Sequence, residues 1–436
     1  MFRKKLYKGI IWGIFVLVLL QVSLFSQDEA EKIAMKSPRF QTLQEILNSK
    51  ENTSQKAEAI KESLKAMDER GLLQIWEEAY KEKQIEIAYI VGSEMIRRWE
   101  ESPPSISFFI KEILNKKKNT DYRLALVSYL GSSKGKKFIK EGDKPNIAEI
   151  YFRIVVDKQE NSKLRAESML NLTVLQPNKK TFRTIINMLN SKEDIVKGYA
   201  AHCLKLLGDE EAIQPLLKSL ENIVRRKNAD EMADTTRRLM VALGRFKVKE
   251  AISLISEVAD TTDNPDIFGS AVYSLGQIRS PEIILPMLKA WKKTERFRES
   301  KSLCDGSCWA AMRHNEDLVI DVLSGKIGGS IPAGIELISK MQEIRGVADE
   351  ERAVGSLQNY LNSSDSNIRQ LTVEALHNIN TPKAKKLLQQ RLKVEKEDKI
   401  IKMLQEFVPK TSNEEAEHEK ASMTNKTIPP ALPPKF

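Results

Sequence analysis

The sequence predicts an all-α protein, specifically a right-handed α-solenoid of stacked helical hairpins. Three observations lead there: a phrase that recurs along the chain, an apolar spacing that suits helices, and turn residues in step with both. The phrase is clearest in residues 195–220, 235–259, 267–291 and 368–392. When the copies are superimposed, Leu204, Leu243, Leu275 and Leu376 coincide, each followed three residues later by an apolar side chain: Leu207, Phe246, Ile278 and Ile379. After a short turn a second helix opens with Ala212-Ile213, Ala251-Ile252, Ile283-Ile284 or Ala384-Lys385. Its later apolar positions repeat as Leu216/Leu220, Ile255/Ala259, Met287/Trp291 and Leu388/Leu392. The first three central leucines lie 39 and 32 residues apart, a period that marks repeat architectures.

Apolar residues at i, i+3, i+4 and i+7 share one face of a helix and do not fit a strand's alternation. Two helices with one apolar stripe each cannot bury both stripes between themselves, so neighbouring hairpins must stack and share a continuous core. The turn chemistry agrees. Gly208 stands where a helix C-terminus wants a left-handed residue, and Asp209 where the next helix wants an N-cap. Ser280-Pro281 and Thr381-Pro382, 101 residues apart, each offer a capping hydroxyl followed by proline at the first helical position.

At these residues the chain resembles the HEAT-repeat superfamily, in particular the bacterial phycobilisome-lyase HEAT-like repeats. The matching positions are Val196-Lys197, Ala200-Ala201, Leu204, Leu207-Gly208-Asp209, Ala212-Ile213 and Pro215-Leu216-Leu217, and again Ile267, Ala271, Leu275-Gly276, Ile278 and Pro286-Met287-Leu288. Weaker copies surround Leu172 and span Tyr122-Arg123 to Leu130-Gly131. The resemblance covers roughly residues 120–407 and implies a fold. It does not imply the lyase activity of the family's name, since no motif here assigns it.

In chain order, residues 1–26 read as an export signal. Arg3, Lys4, Lys5 and Lys8 precede an uncharged run from Ile10 to Ser26, and acidic residues begin at Asp28. The expected product begins near Gln27 in the periplasm or cell envelope. The alternative is an uncleaved inner-membrane anchor facing the periplasm, because 17 uncharged residues just span a bilayer. No cysteine follows the run, so no lipid anchor is expected. Residues 27–104 read as a helical cap region, with helices at about 39–49, 55–69 and 72–100, the last bending or breaking near Gly92. HEAT-like repeats follow in 105–295. Residues 296–350 read as an irregular, degenerate segment with a cysteine turn and the glycine loop Gly325–Ser330 as insertions. A last repeat occupies 351–407. Residues 408–436 read as a disordered proline-rich tail that includes Ile428–Pro434.

Composition is that of a folded protein, with 41% apolar and 30% charged residues. The net charge of +10 falls to +6 once the four basic residues of the signal are removed. The excess is local: between Lys111 and Lys140 nine basic residues face two acidic ones, with Lys116, Lys117, Lys118, Lys134, Lys136 and Lys137 in two short runs. Such a cluster suits a membrane surface, a polyanion or an acidic partner, or is a pair of solvated loops. Export argues against nucleic acid, and so does the lack of interleaved aromatics. Cys203 reads as a core thiol. Cys304 and Cys308 flank the turn-forming Asp305-Gly306-Ser307 and read either as a disulfide or as two free thiols. No His-Glu-x-x-His pair, nucleophile elbow or phosphate loop occurs, so no catalytic, metal or cofactor residue is nominated. The function expected is a non-enzymatic scaffold that binds another protein, with second helices lining the binding surface. The alternatives are an enzyme or enzyme-assisting subunit using residues 296–350, or polyanion or membrane binding through residues 111–140.

Overall fold

The computed structural model describes residues 38–49, 53–102 and 104–408. The expected export signal of residues 1–26 and all but the first residue of the proline-rich tail expected over 408–436 lie outside them. Every regular element among the described residues is helical: 22 α-helices joined by short turns, with 79% helix and no strand. The all-α expectation therefore stands. Contacts divide the chain into two compact units, up to Met188 and from Leu189.

The first unit holds α1 (Pro38–Asn48), α2 (Thr53–Lys65), α3 (Glu69–Lys81), α4 (Ile85–Glu101), α5 (Ile106–Leu114), α6 (Thr120–Gly131), α7 (Lys144–Val156), α8 (Ser162–Leu175) and α9 (Lys179–Met188). The single helix expected over 72–100 is two. It breaks at 82–84, where Lys83 takes a left-handed φ of 56° and Gln84 donates back to the Ala79 carbonyl. Gly92 is a packing residue instead: a Cβ there would stand 2.9 Å from the Trp76 ring. Although aromatics are few in the chain, they gather in this core. Trp99 lies 5.1 Å from Phe109, 5.0 Å from Tyr129 and 6.0 Å from Trp76 between ring centroids. Arg123 and Arg165 occupy matching places in the weaker repeat copies. Both are buried, and each donates from Nε to the backbone carbonyl ten residues earlier, Ile113 at 2.6 Å and Val155 at 3.1 Å. Arg123 also makes a two-pronged pair with buried Glu160, at 3.0 and 2.7 Å.

The second unit holds α10 (Asp194–Leu207), α11 (Ile213–Arg226), α12 (Ala233–Arg245), α13 (Ile252–Thr261), α14 (Pro265–Ile278), α15 (Ile284–Lys292), α16 (Lys301–Arg313), α17 (Glu316–Leu323), α18 (Ile331–Ile344), α19 (Glu350–Leu357), α20 (Ser366–Ile379), α21 (Pro382–Leu392) and α22 (Asp398–Phe407). The first helices of successive pairs pack on one another, α10 on α12, α12 on α14 and α14 on α16, more extensively than α11 packs on α13 or α13 on α15. Leu204, Leu243, Leu275 and Leu376 are wholly buried at equivalent points. The residue after the central leucine explains the closeness of the first helices. It is Gly244 or Gly276, and a Cβ at Gly244 would lie 2.9 Å from the Ser274 backbone, one at Gly276 3.0 Å from Ala311. Gly131 takes the same place against Asn171 in the first unit.

Turns keep the same register. Gly208 caps α10 left-handed, and Asp209 accepts from the Glu211 N–H at 2.9 Å. Thr381 caps α21 by accepting from the Ala384 N–H, but Ser280 makes no such bond, and its buried hydroxyl has no partner in the structure. Residues 296–350 are more regular than expected, since α16, α17 and α18 fill most of them. The glycine loop does separate α17 from α18.

Candidate functional site

The two lysine runs sit at opposite ends of α6, but half of their charge is spent. Lys116 donates to Asp157 at 2.6 Å, Lys118 is bonded to Glu77, and Lys134 to Glu100. Those carboxylates come from α3, α4 and the end of α7, so a count of neighbouring residues cannot find them. The hydrogen bond from Lys116 to Asp157 holds the lysine above its ordinary pKa. Lys117, Lys136 and Lys137 are exposed.

The cysteine turn is corrected by the structure: Cys304 and Cys308 lie one turn apart within α16, buried and unbonded. Asp305, expected to make a turn, accepts instead from Thr294 at 2.7 Å and from Lys301 at 2.6 Å, which lets the helix run through it. The Cβ atoms of helical neighbours at i and i+4 stand about 5–6 Å apart, wider than the about 3.5–4.5 Å a disulfide takes. Burial, then the Asp305 charge, pushes the Cys304 thiol up to about 11, and burial pushes Cys308 up as well, so neither is a ready thiolate. Among the described residues no three His, Cys, Asp or Glu side chains converge to hold a metal ion.

A different cluster forms on the first helices of the second unit. Lys205, at the end of α10, faces Arg238 and Arg245 of α12; its half-burial comes first in lowering its pKa, followed by the charges of the two arginines. His202, one turn earlier, is pushed down to about 4 by burial and then by Lys205 and Arg238, which makes it neutral at pH 7. Arg238 stacks 4.2 Å over the Tyr199 ring, and its Nε donates to both Asp234 oxygens at 2.8 and 2.9 Å. Asp234 is thus already committed to one of these cations. The residue after the central leucine varies among the copies: Gly131, Gly244 and Gly276 in three, Thr173, Lys205 and His377 in the others.

A shallow concavity of ≈ 260 Å³ opens across α12, α14 and α16, lined by Arg237, Val241, Gly269, Tyr273, Leu303 and Ser307 among others. Tyr273 is 51% and Leu303 61% exposed, unusual for large apolar side chains in this chain. Asp266 also lines it, and Arg237 reaches Ser270 at 3.4 Å. The sequence hides this face because its residues come from three separate helices and meet only when those helices stack.

No family model matches this chain, and no curated protein matches it. Among solved structures it is similar to an engineered protein at 14% identity, over 86% of this chain and 100% of that one, with a TM-score of 0.37. It is also similar to human deoxyhypusine hydroxylase in complex with glycerol, at 15% identity over 61% and 96% of the two chains, with a TM-score of 0.26. Likenesses at these scores assign neither fold family nor activity.

Proposed function

We propose that this chain is a non-enzymatic α-solenoid of HEAT-like hairpins, exported to the bacterial envelope, that serves as a scaffold for another protein. The observation that carries the reading is the stacking of first helices α10, α12, α14 and α16 into a layer whose outer face presents Tyr273, Leu303 and Leu206 to solvent. Stacked repeats work by offering such extended surfaces, and exposed apolar side chains rimmed by charge mark places of contact. This reading puts the contact face on first helices, where the sequence suggested second helices.

A photo-crosslinking residue placed at Tyr273 or Leu303 in cells should capture one recurring protein, whereas the same residue at Lys158, exposed in the first unit, should not. Equal, diffuse labelling from all three positions would sink the scaffold reading. Export rests on the basic head and uncharged run of residues 1–26. Fractionation should recover the protein outside the cytoplasm with Gln27 at or near its N-terminus. Cytosolic protein that retains Met1 would overturn export, and membrane-bound protein that retains it would favour the anchor.

A further inference from the structure

We propose that residues 429–435 of this same chain, the proline-rich run with Lys435 behind it, lie in the concavity across α12, α14 and α16 and cover the contact face until a partner displaces them. The proposal goes beyond the scaffold reading, which needs only the face.

The middle of the concavity is the outward stripe of α14, with Asp266, Gly269, Ser270 and Tyr273 at i, i+3, i+4 and i+7. Gly269 keeps it open. Packing does not ask for glycine there, since a Cβ would meet only the Ser307 hydroxyl at an ordinary 3.6 Å, whereas one at Gly244 or Gly276 would be driven against the next helix. A poor helix former where a side chain has room leaves space for another backbone to lie close over the helix.

The polar groups indicate what kind of segment that is. The Ser270 and Ser307 hydroxyls already donate to carbonyls of their own helices, at 2.8 and 2.9 Å. A ligand is therefore offered the donors of Arg237, which among the described residues bonds only to Ser270 at 3.4 Å, and of the Tyr273 hydroxyl. Prolines present carbonyls and have no N–H to satisfy, and proline-rich segments in polyproline II form dock on exposed aromatic rings. The Asp266 carboxylate makes no ion pair among the described residues and asks for a cation.

Spacing fits this chain's own run. Polyproline II repeats every three residues and rises about 3.1 Å per residue, which places Pro429, Leu432 and Lys435 on one face with Leu432 and Lys435 about 9 Å apart. Tyr273 and Asp266, two turns apart on α14, are separated by about 10 Å along the helix. Leu432 then falls on Tyr273 while Lys435 meets Asp266, and Pro433-Pro434 cross Gly269. Reach is sufficient too. The described chain ends at Val408, just after α22, and α22, α20, α18, α16 and α14 pack in succession. At about 8–10 Å a step, α14 is about 40 Å away or less. The intervening residues 409–428 span about 25 Å on average as a flexible chain and about 70 Å at most. Such a tether holds the run at a local concentration in the millimolar range, so a Kd of about 0.1 mM would keep the concavity about nine-tenths filled.

The test places a photo-crosslinking residue at Ala431, off the docking face, in the chain from Gln27 to Phe436, kept dilute so that copies rarely meet. Mass spectrometry of the irradiated, digested monomer should find the run joined to the α12, α14 and α16 peptides that line the concavity. Gly269→Met fills the middle of the site and should bring that yield down to background. Methionine is a good helix former and its Cβ has room, so circular dichroism should show this variant folded. Asp266→Lys should lower the yield as well, and adding Lys435→Glu should restore it, which a merely disturbed helix would not allow. No label, labels scattered over the surface, or a yield unmoved by Gly269→Met overturns the proposal and leaves the scaffold reading intact. Labels in the concavity found only in covalent dimers overturn it too and give the place to a second copy's run. The scaffold reading fails separately, on diffuse capture from Tyr273 and Leu303 in cells.

Discussion

Four residues after each central leucine the backbone turns left-handed, at Gly208 (φ 69°), Lys247 (56°), Arg279 (53°) and Asn380 (57°). Only one is glycine, so three copies hold the turn against the steric preference of an L-residue. A Cβ on Gly208 would touch nothing within 4 Å, which makes Gly208→Ala a nearly pure backbone change. It should lower stability by about 1–2 kcal/mol, read as a shift of the urea midpoint; an unchanged midpoint would show that the left-handed turn is not held in solution. Glu395 sets a second residue-scale expectation. Its side chain is 1% exposed, pairs with Arg369 at 3.1 Å and Arg391 at 2.6 Å, and accepts from the Lys396 and Glu397 N–H groups. Burial pushes its pKa up, but the bond from Arg369, the two backbone donors and Arg391 together hold it down to about 2, against an ordinary 4.5. A depressed folded pKa stabilises fully above the unfolded value and is lost as pH falls through the folded one. Amide-exchange protection in α20 and α21 should therefore fall between about pH 4.5 and 2. Glu395→Gln should remove that acid step and cost about 3 kcal/mol at neutral pH, because it leaves two half-buried guanidinium groups without their carboxylate, each keeping only neutral acceptors. Acid loss of the same size in Glu395→Gln would mean another group sets it.

Between elements, the spacing of the first helices turns on the glycine after the central leucine. Gly244→Ala removes a poor helix former, a gain of up to about 1 kcal/mol. It also drives a Cβ to 2.9 Å from the backbone of Ser274, which cannot swing aside as a side chain would. Overpacking of this kind costs about 1–3 kcal/mol, so a net loss is expected, visible as a lower melting temperature together with loosened α14 amides. A higher melting temperature would mean that the helices are farther apart than described. The central leucines, the turns and the starts of second helices were legible in the sequence because one local phrase encodes all three. The break at 82–84 was not, since the apolar spacing continues through it and Lys83 carries no turn signature. Asp305-Gly306-Ser307 misled for the opposite reason: their composition suits a turn, but Thr294 and Lys301 satisfy the aspartate inside a helix. The lysine runs looked basic because their carboxylate partners are up to 41 positions away.

Across the whole molecule, a repeat's core is shared only with its neighbours, so damage should spread by distance in repeats. Leu275 is wholly buried in α14, which packs on α12, α13 and α16. Leu275→Ala should cost about 2–5 kcal/mol through lost burial and the cavity left behind. In a compact domain with one cooperative transition that cost would appear at every protected amide. In a chain of nearest-neighbour interfaces it should appear first in α12 to α16, weaken towards α20, and leave α3 to α8 of the first unit protected as before. Hydrogen exchange under native conditions, compared helix by helix between wild type and Leu275→Ala, separates the two. A uniform rise from α3 to α20 would show one cooperative body and remove the physical basis for reading this chain as a stack of repeats.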